Sequence, residues 1–339
     1  MSAATMRQLV FGRYGDPAEV LLLHRRPVPE PGPGEVRVRM RVSPVNPSDV
    51  LLVQGRYGRP AAFSPGLRPD GNSSASPVGF EGVGVVDAAG PGVPYPTGTR
   101  VAVSALGTWA EYLVTDADDV LPVPAELSDE AACQLTINPV TAHLLLDDLG
   151  LEEGELLLLT AAASAVGRMV LQLAGGRGLR CLCLVRDKRH RPALMATGAE
   201  AVLVQGEERL AEQLAALAEG RGIAAVLDAV GGPTGTLALQ SLRDGGQFVS
   251  YGLLSGEPLT VAPEELIFRG IAMTGFWLPE RLGRWAAHRT DRLLRQVTGQ
   301  LLDGRLSVPA VEPYDLADAA RAVRHSQCSG RTGKAVLTS

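Results

Sequence analysis

The apolar and polar positions of the chain change texture near Leu127. Before about Pro124 the apolar residues come in short runs: VRVRMRVSPV (residues 36–45) alternates, GVGVVDAAG (82–90) leaves a turn, and TRVAVSA (99–105) and WAEYLVT (109–115) follow. Glycine, proline and other turn formers bound each run, so this part is expected to fold as short strands of a compact β-barrel. Phe63 to Ser76 (FSPGLRPDGNSSAS) has no periodicity and collects turn formers. Loops of that length are disordered or cover a site.

Beyond Leu127 the period becomes that of strand and helix in turn. Ser128 reads as an N-cap with Asp129 and Glu130 in the first turn. LLLLT (156–160) runs into GRMVLQLAGGRG, CLCLV (181–185) into KRHRPALMATG, and AVLV (201–204) into RLAEQLAALAEG. AAVLDAV (224–230) runs into GTLALQSLRDGG, QFVSYG follows, and residues 266–278 extend the series. A βαβαβ series predicts a doubly wound parallel sheet with helices on both faces. Two amphipathic helices, TDRLLRQVTGQLLDG and DLADAARAVRHSQ, precede a closing strand, GKAVLTS.

At 339 residues the chain is about twice a typical domain, so two domains are expected. A net charge of −5 argues against a nucleic-acid partner. No run of about 18 uncharged apolar residues is present, so no membrane span is expected. MSAATMRQLVFGRYG lacks the apolar core of a secretory signal, and the expected location is the cytoplasm. Cys133, Cys181, Cys183 and Cys328 form no CxxC pair, and reduced thiols are expected.

LLLLTAAASAVGRMVLQLA (156–174) has the strand–turn–helix context of a dinucleotide-binding G-x-G-x-x-G. Only Gly167 is a glycine, and Ala162 and Ala165 read as holding the other two positions. By itself the stretch does not separate a cofactor loop from a strand packed on a helix. The residue about 20 positions beyond such a turn faces the adenosine ribose. Here it is Arg186, with Lys188, Arg189 and Arg191 beyond. An acidic side chain would bond a ribose 2′-hydroxyl, whereas arginine suits a 2′-phosphate. The alternative, a solvated basic helix start, places positive charge against the helix dipole. With the surrounding βαβ series, the loop is read as binding NADPH.

EPGPGEVRVRM, VNPSD, GFEGVGVV, GTWAEYLV, VLDAVGG and GKAVL together resemble the medium-chain dehydrogenase/reductase superfamily over nearly the whole chain. The resemblance implies an α/β protein: a GroES-like β-barrel catalytic domain (residues 1–126 and 279–339) and a Rossmann NADPH-binding domain (127–278). The zinc members' first cysteine falls at Asn46 and their histidine at Phe80, and no cysteine precedes Cys133. Zinc would need thiolate and imidazole ligands there, so no metal is expected. LLVQGRYG, INPVTAHLLL and RGIAMTGFWL resemble, in order, segments of the mitochondrial-type 2-enoyl thioester reductases. Quinone oxidoreductases share the first pattern and resemble the other two less.

That branch implies hydride transfer from NADPH to Cβ of a 2-enoyl thioester (enoyl-CoA or enoyl-ACP) and a proton to Cα. By resemblance Tyr57 supplies or gates the proton; the alternative is a turn tyrosine packed under the loop, as Tyr14 is read. Asn46 reads equally as active-site positioning or local turn, while Asp49 and Trp109 read as structural. Asn138 and Thr141 would meet the nicotinamide, and Ser164, Ala165, Val166 and Gly167 form the turn. Arg186, Asp187 and Lys188 would hold the ribose end, with Tyr251, Gly252, Phe276, Trp277 and Lys334 completing the cofactor site. His143 reads as a helix-face or a cleft residue. Arg281, Arg284 and Arg289 read as a solvated face rather than a CoA site. A homodimer is implied. The rival functions are a quinone or enone reductase and a non-catalytic NADPH sensor or crystallin-like protein.

Overall fold

The computed structural model describes residues 4–67, 73–331 and 333–339. The chain divides into two compact units, Met1–Ile137 with Ser307–Ser339, and Asn138–Leu306. The divisions fall later than the change of texture at 126/127 and the expected return at 278/279. Specific bonds account for the shift. Arg100 Nε donates to Asp129 Oδ1 at 2.7 Å, and Glu81 Oε2 accepts from the amides of Thr136 and Ile137, which keeps 127–137 with the first unit. The helix Ala287–Leu302 stays with the second, where His143 Nε2 and Gln300 Oε1 lie 2.7 Å apart and Val297 is buried.

In the first unit a seven-stranded sheet runs in the order Val311–Asp315, Lys334–Thr338, Glu35–Pro44, Gly82–Ala89, Arg100–Val103, Val120–Pro122, with Tyr112–Asp116 also paired to Glu35–Pro44. The path is open among the described residues. Alternation in VRVRMRV does what its period requires. Val36, Val38 and Met40 enter the core with Val86, Val101 and Val103, while Arg37 turns to Asp87 and Glu30. Each such apolar side chain contributes about 1.5–3 kcal/mol on burial. The last strand, Lys334–Thr338, lies antiparallel on Glu35–Pro44 with Val336 opposite Pro44. A smaller sheet joins Leu21–Pro27, Thr5–Phe11 and Ser76–Pro77.

The second unit holds a six-stranded sheet in the order Ala201–Val204, Arg180–Val185, Leu156–Leu159, Ile223–Asp228, Leu242–Ser250, Ala272–Gly275. Every pairing is parallel. Leu156–Leu159 is buried throughout, as a central parallel strand must be. Strand order reverses between it and Ile223–Asp228, the switch point where such sheets bind ligands. Cys181 and Cys183 are buried free thiols of this sheet. Among the described residues no helix is long and apolar enough to cross a membrane.

Candidate active site

The turn after Leu156–Leu159 is held from both sides of the switch point. Thr160 Oγ1 donates to Asp228 Oδ1 at 2.6 Å and accepts from Ala229 N at 2.9 Å. The Asp228 carboxylate also takes the amides of Val230 (3.1 Å) and Gly231 (2.9 Å). Ala161 has φ 46°, alone in positive φ among the described non-glycine residues, a strain of about 1–2 kcal/mol that the fixed strand ends sustain. Ser164 then caps the helix Ala165–Gly175, its Oγ accepting from Gly167 N at 3.1 Å. A Cβ on Gly167 would stand 2.7 Å from Ala162 O and 2.8 Å from Ala162 Cα. Only glycine lets the helix sit this close, which is the task of the fingerprint's third glycine.

One assignment in this turn changes. Three residues before Gly167 the middle position is Ser164, not Ala165, so the second glycine is replaced by the capping hydroxyl. Ala165 and Val166 are the first helical residues, partly exposed. Tyr251 and Gly252 lie across the same point. Tyr251 N donates to Asp228 O at 2.8 Å, its hydroxyl bonds Ser164, and burial pushes that phenol up. A Cβ on Gly252 would lie 2.6 Å from Ala229 O. Phe276 N donates to Ser250 O at 2.8 Å, and Trp277 caps Leu278–Gly283. Asn138 and Thr141 are buried in the first turn of Asn138–Leu149, whose His143 is turned to Gln300 and has its pKa lowered by burial. Thr160 and Asp228 were missed from sequence. The available signal was an aspartate ending the apolar run AAVLD.

At the end of Arg180–Val185, Arg186 and Lys188 are exposed. Asp187 is occupied: Arg189 donates to it through N (2.9 Å), Nε (2.9 Å) and Nη2 (2.7 Å), which holds its carboxyl down at about 2. It is a weaker candidate for a ribose hydroxyl than the sequence expectation made it. Arg281 pairs with Asp148, Arg284 with Glu280, and Arg289 lies over Trp285 at 3.6 Å, in keeping with a solvated face.

In the first unit Asn46 opens the helix Pro47–Val53 inside a buried polar cluster. Its Oδ1 accepts from Lys334 Nζ at 2.6 Å, its Nδ2 donates to Glu81 Oε1 at 2.8 Å, and its amide donates to Asp49 Oδ2 at 2.7 Å. Glu81 Oε2 takes Thr136 Oγ1 at 3.0 Å. Burial raises Asp49 to about 7 and Glu81 upward, and lowers Lys334. Lys334, expected to meet the cofactor, donates to Asn46 within this cluster. Both ends of the Asn46 side-chain amide are thus engaged within the cluster. Tyr57 is half-buried, its ring 5.1 Å from that of Phe80. Tyr14 packs on Phe11 and Phe63 and takes Ala61 N at 3.0 Å, and Trp109 is core, donating to Pro44 O at 3.2 Å. Of the loop 63–76, residues 68–72 lie outside the described residues; Ser64 and Ala75 close its base with paired backbone bonds.

Two families match: the alcohol dehydrogenase GroES-like domain over residues 32–125 and the zinc-binding dehydrogenase over 165–294. A mitochondrial enoyl-[acyl-carrier-protein] reductase of Xenopus tropicalis is 33% identical over 99% of this chain and 96% of its own. The chain belongs to the medium-chain dehydrogenase/reductase superfamily. It is an oxidoreductase of that superfamily, with a GroES-like and a Rossmann unit. A solved structure from Bacillus thuringiensis, assigned as an NADPH:quinone reductase, is 31% identical with a TM-score of 0.90, covering 99% of this chain and 100% of its own. The complex of Etr1p, a 2-enoyl thioester reductase of Candida tropicalis, with NADP and crotonyl-CoA has the same fold (TM-score 0.88, 23% identity, 99% and 100% coverage).

The expected cytoplasmic location does not stand, because the curated relatives of Xenopus tropicalis, Homo sapiens and Arabidopsis thaliana are mitochondrial enzymes. A missing apolar signal core speaks only to secretion; mitochondrial leaders are amphipathic, arginine-rich and removed. The superfamily's zinc does not fit the donors present. Asn46 offers an amide, Phe80 a hydrocarbon ring, and Glu81 is already bonded to Asn46 and Thr136. Among the described residues no three His, Cys, Asp or Glu side chains could hold a metal ion together.

Proposed function

We propose that the protein is a zinc-independent, NADPH-dependent reductase of the C2=C3 double bond of 2-enoyl thioesters. The observation that carries the proposal is near-full-length similarity to enoyl-[acyl-carrier-protein] reductases, joined to a dinucleotide turn whose ribose end is basic. Bound NADPH supplies the hydride for Cβ. Helix amides behind Ser164 and the close approach at Gly167 take the pyrophosphate. Arg186 and Lys188 take the 2′-phosphate through charge-assisted bonds. Tyr57 gives the proton to Cα, and Asn46 holds the polar cluster at the head of Pro47–Val53. Asn138, Thr141, Tyr251, Gly252, Phe276 and Trp277 line the cofactor.

The working form is a homodimer. The edge strand Ala272–Gly275 is exposed throughout, beside Ile267 at 70% and Phe268 at 79% exposure. Unpaired strand edges and apolar patches of this kind seek partners.

A quinone or enone reductase is the second possibility, favoured by the 31% identity to the Bacillus thuringiensis structure. NADPH oxidation is followed with crotonyl-CoA, a branched enoyl-CoA and a simple quinone. Turnover with a thioester and none with the quinone is the expected result. Turnover with the quinone alone moves the protein to the second function, and NADPH binding without turnover of any acceptor leaves a sensor. Unchanged preference for NADPH over NADH in Arg186→Ala would remove Arg186 from the site.

A further inference from the structure

Among the described residues, the second unit contains a half-buried cation with no counter-charge. Arg168 lies in the first turn of the helix Ala165–Gly175, just after the capping Ser164. Its Nε donates to Ala163 O at 3.0 Å, and its Nη2 lies 3.4 Å from His190 Nδ1. Among the described residues no carboxylate pairs with it, and burial is the one influence on its pKa, a lowering. Other arginines of the unit are treated differently: Arg177 has Asp147, Arg180 has Glu200, Arg243 has Glu155 and Arg281 has Asp148. A guanidinium drawn out of water without an anion is costly, and at a helix N-terminus the dipole opposes it further. Such a group is stabilised by an anion that arrives.

The geometry limits which anion. His190 ends the short turn Lys188–His190 that follows Arg180–Val185, so the Arg168 guanidinium reaches from the dinucleotide turn to the loop carrying Arg186 and Lys188. A dinucleotide runs along this path, from pyrophosphate at the turn to ribose at the end of the second strand. The one further anionic group at that end is a 2′-phosphate. Asp187, the carboxylate that would otherwise accept from a ribose 2′-hydroxyl, is clamped by Arg189 of the same loop.

We infer that Arg168 is a cofactor-selecting residue, its guanidinium binding the 2′-phosphate of NADPH together with Arg186. The inference rests on the NADPH assignment above and adds a residue to it from a different element. The planar fork supplies paired donors to a phosphate, which a lysine supplies only as a point charge.

The test is calorimetric titration of NADPH, NADH and 2′,5′-ADP into wild type, Arg168→Gln and Arg168→Lys, with a thermal melt of each. Arg168→Gln is expected to weaken NADPH and 2′,5′-ADP by about 10- to 100-fold, the range of a lost charged hydrogen bond, with NADH affinity unchanged. Arg168→Lys, which keeps the charge and loses the fork, should recover only part of the loss. Equal weakening of NADPH and NADH would place Arg168 at the pyrophosphate, and no weakening of either would make it structural; both overturn the inference. A wild type without preference for NADPH sinks the cofactor assignment and this inference with it, whereas a preference that survives Arg168→Gln sinks the inference alone.

Discussion

Lys334 Nζ donates to Asn46 Oδ1 at 2.6 Å, joining residues 288 positions apart. The bond ties the last strand to the head of the helix Pro47–Val53, and through Asn46 Nδ2 to Glu81. Ammonium and carboxylates are all buried, so each depends on the others for the solvation that water would have given.

Removing the cation exposes that dependence. Lys334→Met leaves Glu81 and Asp49 buried without their positive partner, and unfolding free energy should drop by about 3–5 kcal/mol. Urea denaturation measures it. The double variant Lys334→Met/Glu81→Gln, which removes a negative charge as well, should be more stable than the single one; if it is not, charge is not what Lys334 contributes.

The same cluster sets a pH dependence. Asp49 has its pKa raised by burial from 3.8 to about 7, and Glu81 is raised in the same direction. Over that window the folded state holds a proton that the unfolded state has released, so stability falls as pH rises. The contribution is fully present below 3.8 and is lost as pH passes about 7. Asp49→Asn, a fixed analogue of the protonated acid, should flatten part of the decline between these limits when urea midpoints are compared across pH.

Tyr57→Phe keeps the ring against Phe80 and removes the proton. Turnover with the enoyl thioester should fall about 10²- to 10⁴-fold, the range for general acid catalysis, while NADPH affinity and melting temperature stay at the wild-type values. A variant with full turnover would show that Tyr57 is not the acid.

Gly167→Ala drives a methyl to 2.7 Å from Ala162 O, a backbone atom that cannot swing aside. The helix must lift off the strand, at a cost of about 1–3 kcal/mol, and NADPH binding should weaken with it. Differential scanning calorimetry and NADPH titration read the two effects separately.

Much of this protein was legible along the chain. Alternation in VRVRMRV placed Val36, Val38 and Met40 inside, the apolar runs LLLL and CLCLV became buried parallel strands, and Ser128 caps its helix through Ala131 N. Arg186 fell at the end of the second strand because strand, turn and helix have nearly constant lengths. Such features depend on neighbours within a few residues, and periodicity carries them. Lys334 meeting Asn46, Asp228 closing on Thr160, Arg189 occupying Asp187 and Arg168 reaching His190 carry no periodic signal. Except for Asp187 and Arg189, these partners are separated by many residues, and in every case side-chain direction in the folded chain selects the contact. The divisions at 137/138 and 306/307 are of the same kind. Apolar patterning predicted two units, but Glu81, Arg100 and Gln300 decided which bordering residues each unit kept, through bonds that exist only after the chain has closed.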